Sequence, residues 1–259
     1  MNEENLITYY NKFNEDKRLK TRHGQVEYLI TMNYIHKYLK TNDKIVEIGA
    51  GTGQYSVNLA NEGYEVTAVE LVKHNLREIE RKNNKIKTIL GNAINLKKIP
   101  DNFFDLTLLL GPMYHLISKE EKIQALKEAQ RITKKNGIIM VAYCMNDYSV
   151  LIHGFRDNNI KESLENNDID KDFHITPKAT DLYSRVTIND INELNSLVNL
   201  KRIKIISPDG PANYMRKTLN QMDEETFNLF IQYQLTTCER LDLIGAGAHT
   251  LDILMNTKK

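Results

Sequence analysis

Short apolar runs alternate with amphipathic segments over the first 145 residues of the chain. One run, FFDLTLLLG, is almost entirely apolar, which is typical of a strand covered on both faces. Runs of this kind predict five strands, at 44–49, 64–70, 85–93, 103–111 and 138–144. Segments with helical spacing separate them. The alternation predicts an α/β fold with a doubly wound, mostly parallel sheet and right-handed crossovers.

Two further apolar runs, at 200–207 and 249–255, predict the strands that complete a seven-stranded sheet. A helical pattern at 23–40 precedes the first strand, and a polar region separates strands five and six. We therefore expect four parts: an N-terminal helical lid segment at 1–40, a cofactor-binding core at 41–145, a substrate-side insertion at 146–199, and C-terminal strands with a helix at 200–259.

The composition limits the classes of function. Of the 259 residues, 41% are hydrophobic and 27% charged, as in ordinary globular proteins. The formal net charge is +1, so no bulk positive field favours a nucleic acid as partner. No run approaches the roughly 18 apolar residues of a membrane span, and the first residues lack the apolar core of a signal peptide. Two separated cysteines predict neither a disulfide framework nor a metal site. We expect a cytoplasmic protein without a membrane partner.

The stretch KIVEIGAGTGQYS, at 44–56, joins the first strand to a helix through Gly49, Gly51 and Gly53. A helix that starts after such a turn offers free backbone N–H groups and a partial positive charge to a ligand. The spacing is not the G-x-G-x-x-G of dinucleotide-binding folds, because Gln54 stands at the last position. A phosphate-binding Walker motif is absent too, since no Gly-Lys-Ser/Thr follows.

Two acids indicate which ligand the turn binds. Glu47 lies two residues before Gly49, where a carboxylate would repel a pyrophosphate but attract an ammonium group. Glu70 ends the second strand, where a carboxylate can accept both ribose hydroxyls. A ligand with an ammonium group, a ribose and little need for phosphate contacts is S-adenosylmethionine.

With these motifs the chain resembles the class I S-adenosylmethionine-dependent methyltransferases over residues 25–145. Their acid-x-Gly-x-Gly-x-Gly motif is EIGAGTG here, and their Gly-Asp-Ala motif is GNA, with Asn92 in place of the acid that accepts from the adenine amino group. The resemblance implies a Rossmann-like sheet with S-adenosylmethionine as cofactor. It implies that the cofactor also contacts Ala50, Tyr55, Leu71, Asn92, Ala93 and Leu110.

Tyr114 and His115, in GPMYHL, lie directly after the fourth strand. In this family the segment at that position faces the methyl group of the cofactor. We expect His115 to act as a general base and Tyr114 to form part of the reaction site. Cofactor cover or packing is the alternative role for this segment. For the substrate side we expect contributions from Tyr9, Tyr10, Arg18 and Tyr143.

The sequence thus predicts direct, in-line methyl transfer from S-adenosylmethionine to a small-molecule acceptor. Three alternatives stay open: methylation of RNA or protein, a catalytically silent protein that binds S-adenosylmethionine, and an NAD-dependent enzyme.

Overall fold

A computed structural model describes residues 3–10 and 21–257 of the chain. Seven strands form one sheet. Their bounds are β1 Lys44–Ile48, β2 Glu65–Glu70, β3 Lys87–Leu90, β4 Phe104–Leu109, β5 Thr133–Cys144, β6 Leu200–Ile206 and β7 His249–Asn256.

Helices flank the sheet on both faces. Their bounds are α1 Glu3–Tyr10, α2 Arg22–Tyr38, α3 Gln54–Asn61, α4 Lys73–Lys82, α5 Lys119–Ile132, α6 Asn146–Ser149, α7 Ile160–Glu165, α8 Ile188–Ser196, α9 Arg216–Gln221 and α10 Glu224–Thr237. A 3₁₀ turn at Pro112–Tyr114 follows β4, and a π-helical turn at Val150–Arg156 continues α6.

The strand order is β3-β2-β1-β4-β5-β7-β6. Strands β1 to β5 pair with one another in parallel, whereas β7 runs antiparallel to both β5 and β6. The predicted seven-stranded, mostly parallel sheet is confirmed. The insertion of the last strand between β5 and β6 was not predicted, and it makes β6 the edge strand.

Alternating residues of the central strands build two separate cores. Ile45 packs in the cluster with Ile30 of α2, while Val46 packs in the cluster with Leu126 of α5. Successive side chains of a strand point to opposite faces, so each strand contributes to both layers. Helices α2, α3, α4, α9 and α10 cover one face, and α5 and α8 cover the other.

The region between β5 and β6 contains little regular structure. Around residue 186 the chain forms a single parallel bridge between Met145 and Val186. Thr187 then begins α8 with a reciprocal capping box to Asp190. Within the described residues, no helix has both the length and the apolar character needed to cross a membrane.

Candidate active site

A cavity opens at the carboxyl ends of β1, β2 and β4. Strand β1 lies between β2 and β4, so the strand order reverses at this point, which is the position where open α/β sheets bind ligands. The empty volume is about 1330 Å³ with the open mouth included, which is enough space for a small-molecule ligand.

The turn between β1 and α3 forms one wall of the cavity through glycine backbone. Gly51 has φ +52° and Gly53 φ +84°, a region that residues with a Cβ rarely adopt. A Cβ at Gly51 would meet no atom within 4 Å, so the turn presents bare backbone to open space there. A Cβ at Gly53 would lie 2.8 Å from Ile79 Cγ1. Gly53 therefore serves the packing of α3 against α4.

Glu70 closes the far side of the turn. Its carboxylate accepts hydrogen bonds from the backbone N–H of Gly51, at 2.8 Å, and of Val72, at 2.9 Å. Burial raises the pKa of Glu70, and the two backbone N–H groups oppose that rise. An ionised carboxylate has about four acceptor positions. The side-chain amide of Asn75 approaches a third position only weakly, at 3.5 Å, so a ligand hydroxyl in the cavity that Glu70 lines can donate there.

Glu47 lies at the base of the same turn and is 3% exposed. One carboxylate oxygen accepts from the Ser56 backbone N–H at 2.9 Å and from the Ser56 hydroxyl. Burial raises the pKa of Glu47 to about 7; the bonds from Ser56 lower it, and the charge of Glu70 raises it further. A cation in the cavity would favour the ionised form of Glu47.

Asn92 has a structural role in addition to its place on the cavity wall. Its side-chain oxygen accepts from the backbone N–H of Ile94 at 3.1 Å, which holds the turn after β3. The same residue lines the cavity. An amide oxygen has two lone pairs, so the turn and a ligand contact are compatible.

His115 lines the cavity from the loop after β4. Its Nδ1 lies 2.8 Å from the carbonyl oxygen of Leu182. A carbonyl only accepts, so Nδ1 carries the hydrogen and the neutral ring keeps its acceptor lone pair on Nε2. Burial lowers the pKa of His115, and the bond to Leu182 opposes this. The neighbouring Tyr114 lines the cavity as well.

The cavity brings together nearly all residues that the sequence predicts at the cofactor. The predicted cofactor residues that line it are Glu47, Gly49, Ala50, Gly51, Tyr55, Glu70, Leu71, Asn92, Ala93 and Leu110. Gly53 is the exception: it shapes the turn and does not line the cavity.

Tyr143, which the sequence places on the substrate side, does not line the cavity. Tyr143 is 1% exposed and packs in the core on the α5 side of the sheet, while the preceding Ala142 lines the cavity. The alternation of side chains along β5 accounts for the difference. Tyr9 makes an edge-on contact with Tyr183, with centroids 6.3 Å apart, and does not line the cavity.

Two other predicted substrate residues fall outside what the structure describes. The backbone of Tyr10 ends α1, but its side chain lies outside the described part, and Arg18 lies outside the described residues altogether.

The contribution of α2 to the cavity was not predicted from the sequence. Glu27 and Thr31 both line the cavity, although α2 otherwise packs Val26, Ile30 and Ile35 into the core. Residues four apart share one face of a helix. Two polar side chains at that spacing, inside a helix with a buried apolar stripe, were the sequence signal that could have predicted this part of the cavity wall.

The residues present fit S-adenosylmethionine. The bare backbone at Gly51 leaves space that a Cβ would fill. Glu70 offers acceptor positions for ribose hydroxyls, Glu47 suits an ammonium group, and Leu71 and Ala93 provide apolar wall for a purine.

Comparison with known proteins agrees with this geometry. Residues 46–141 match the family model described as a methyltransferase domain. This part of the chain is therefore a methyltransferase domain. A demethylmenaquinone methyltransferase from Paenarthrobacter aurescens is 31% identical over 104 residues, 40% of this chain and 40% of the relative. The chain thus spans well under half the length of this curated relative.

Solved structures show the same fold over nearly the whole chain. A S-adenosylmethionine-dependent methyltransferase from Methanosarcina mazei superposes with TM-score 0.60 at 16% identity, covering 87% of this chain and 98% of the other. Geranyl diphosphate C-methyltransferase from Streptomyces coelicolor, solved with S-adenosyl-L-homocysteine, gives TM-score 0.60 at 13% identity, covering 98% and 97%. At these identities the likeness shows the fold alone.

Proposed function

We propose that this protein transfers the methyl group of S-adenosylmethionine directly to a small-molecule acceptor. The observation that carries the proposal is the convergence of Glu47, Glu70 and His115 on one cavity. Two of these side chains suit the charged and hydroxyl groups of the cofactor, and the third is a neutral base beside them.

The protein's part in such a reaction is mainly positional. When bound, S-adenosylmethionine supplies an activated methyl group on a sulfonium. Glu70 and the Gly51 backbone fix the ligand's orientation, and the loop with Tyr114 and His115 covers the site from the β4 side. The buried His115 can accept a proton through Nε2 from a hydroxyl or amine acceptor.

The charge and the apolar lining of the cavity favour a small acceptor. Among the described residues that line it there is no lysine or arginine, and Leu6, Leu116 and Leu251 form an apolar part of the wall. An RNA substrate would need a basic rim to hold phosphates. A protein substrate would need an open groove to admit a chain.

This proposal is tested by giving the protein candidate acceptors from a cell extract in two separate fractions. Purified protein with S-adenosylmethionine is incubated with either the dialysable or the non-dialysable part of a cell extract, and S-adenosylhomocysteine is measured by mass spectrometry. Product that requires the dialysable fraction supports a small acceptor. Product that requires the other fraction indicates a protein or RNA substrate. Cofactor binding without product in either fraction indicates a catalytically silent protein.

A further inference from the structure

A short segment between β5 and α8 packs against the loop that contains His115. This support segment consists of Leu182, Tyr183 and Ser184. The carbonyl oxygen of Leu182 accepts from His115 Nδ1 at 2.8 Å, and the ring of Tyr183 lies 5.1 Å from the His115 ring. The backbone N–H of Ser184 donates to the carbonyl oxygen of Tyr114 at 2.5 Å. The support segment therefore sets both the tautomer and the packing of the His115 ring, across 67 residues of sequence.

A buried lysine joins the support segment to the loop after β4. Lys122, in the first turn of α5, is 4% exposed. Its ammonium group donates to the carbonyl oxygens of Leu116 and Ile117, and to the hydroxyl oxygen of Ser184 at 2.8 Å. An ammonium group has three donor hydrogens, so one side chain serves all three acceptors. Lys122 thus holds both segments that meet at His115.

The burial of this charge works against the stability of the fold. The three acceptors of Lys122 are uncharged oxygens. Burial lowers the pKa of Lys122 to about 8, although the charges of Glu121 and Asp190 oppose this. An apolar side chain of similar length would avoid the loss of hydration that a buried charge suffers. The contacts of the ammonium group therefore point to a role at the neighbouring site.

We propose that Lys122 is a positioning residue for His115, and that it acts by holding the support segment in place through Ser184. The inference rests on the proposed function, in which His115 accepts a proton. With the segment held, Leu182 keeps the hydrogen on Nδ1, and Nε2 is the basic nitrogen of the neutral ring. Without this link the ring can adopt the other tautomer, whose Nε2 has no lone pair for a proton.

The ring nitrogens of His115 test this role without any turnover. Protein labelled with ¹⁵N-histidine and saturated with S-adenosylhomocysteine is measured by NMR at pH 7, and His115→Ala identifies the signals. We expect the parent to carry the His115 hydrogen on Nδ1 alone. Lys122→Met and Ser184→Ala should each show a mixture of the two tautomers. Ser149→Ala removes another buried hydroxyl, one that donates to Met145, and as the control it should match the parent.

Turnover with the dialysable fraction of the extract shows whether the effect of Lys122 passes through His115. Lys122→Met should lower formation of S-adenosylhomocysteine by about tenfold or more, because a displaced catalytic group reacts slowly. Affinity for S-adenosylhomocysteine should stay within about twofold of the parent. In a His115→Ala background the same substitution should lower turnover by less than about twofold, because the group that Lys122 positions is then absent. If Lys122→Met does not fold, Ser184→Ala provides both measurements.

Two results would overturn the proposal. One is an unchanged His115 tautomer in Lys122→Met and Ser184→Ala. The other is an equal loss of turnover with and without His115, which would show a general structural role for Lys122. A parent protein that binds no S-adenosylhomocysteine or forms no product would instead refute the proposed function, and the tautomer of His115 would still decide the role of Lys122.

Discussion

The carboxylate of Glu70 and the backbone N–H of Gly51 are joined by a 2.8 Å hydrogen bond across 19 residues of sequence. The bond ties the end of β2 to the glycine turn after β1, so one acid both shapes the turn and lines the cavity. Removing its charge should therefore weaken both the turn and the binding of a ligand.

Glu70→Gln should weaken binding of S-adenosylmethionine by about 2–4 kcal/mol, because two hydrogen bonds to a charged group lose charge assistance. Isothermal titration calorimetry measures the change. Glu65→Gln, at the exposed start of the same strand, is the control and should bind as the parent does. Equal affinities of the parent and Glu70→Gln would contradict the assignment of Glu70 to the ligand.

Glu47 should make both stability and binding depend on pH. Its folded-state pKa of about 7 lies above the ordinary 4.5, so its ionisation destabilises the fold. Its contribution to the free energy of unfolding is complete below pH 4.5 and is lost as the pH rises through 7. Glu47→Gln should therefore unfold with a free energy about 2–3 kcal/mol higher than the parent at pH 8, and with little difference at pH 4.5.

Affinity for S-adenosylmethionine should rise with pH, whereas the contribution of Glu47 to stability falls. An ionised Glu47 attracts the ammonium group of the cofactor, so affinity should rise between pH 6 and pH 8 in the parent. In Glu47→Gln this rise should be smaller. Chemical denaturation and calorimetry at a series of pH values measure both effects, and identical pH profiles for the two proteins would refute this role.

Gly51 and Gly63 form a matched pair of glycines with left-handed backbone. Both have positive φ, +52° and +100°, and a Cβ at either would meet no atom within 4 Å. Alanine at each position should cost about 1 kcal/mol of stability through backbone strain. Only Gly51→Ala should also weaken S-adenosylmethionine binding, because only its Cβ would enter the cavity. Thermal unfolding and calorimetry separate the two effects, and equal cofactor affinities in both variants would show that the Gly51 backbone does not meet the ligand.

His115→Ala should leave cofactor affinity within about twofold of the parent and lower turnover by about 10²–10⁴ if the acceptor must lose a proton. His174→Ala, at an exposed histidine, serves as control. Because the pKa of His115 is lowered by burial, parent turnover should be insensitive to ionisation of this residue above pH 6.5. Unchanged turnover in His115→Ala would leave His115 with only a packing role.

Local features of the site were predictable from sequence. Strand β1, the glycine turn and the position of Glu70 depend on contacts within one βαβ unit, where strand polarity and spacing fix the geometry. The capping box of α5, formed by Ser118 and Glu121, is a local feature as well.

Features that depend on distant pairing were not predictable. The placement of β7 between β5 and β6 follows from pairing across more than 100 residues, and no local pattern encodes it. The same pairing brings His249 next to Glu27 of α2. The direction of the Tyr143 side chain was not predictable for a related reason. In a strand that is buried on both faces, the sequence does not reveal which of two adjacent residues faces the cavity.

The central claim is that two acids beside a bare-backbone turn select a cationic amino-acid nucleoside over a pyrophosphate. Calorimetric titration of the parent protein with S-adenosylmethionine and, separately, with NAD tests it most directly. We predict one S-adenosylmethionine site per chain, weakened by Glu70→Gln, and no detectable heat of binding with NAD. Binding of NAD without binding of S-adenosylmethionine would contradict the account.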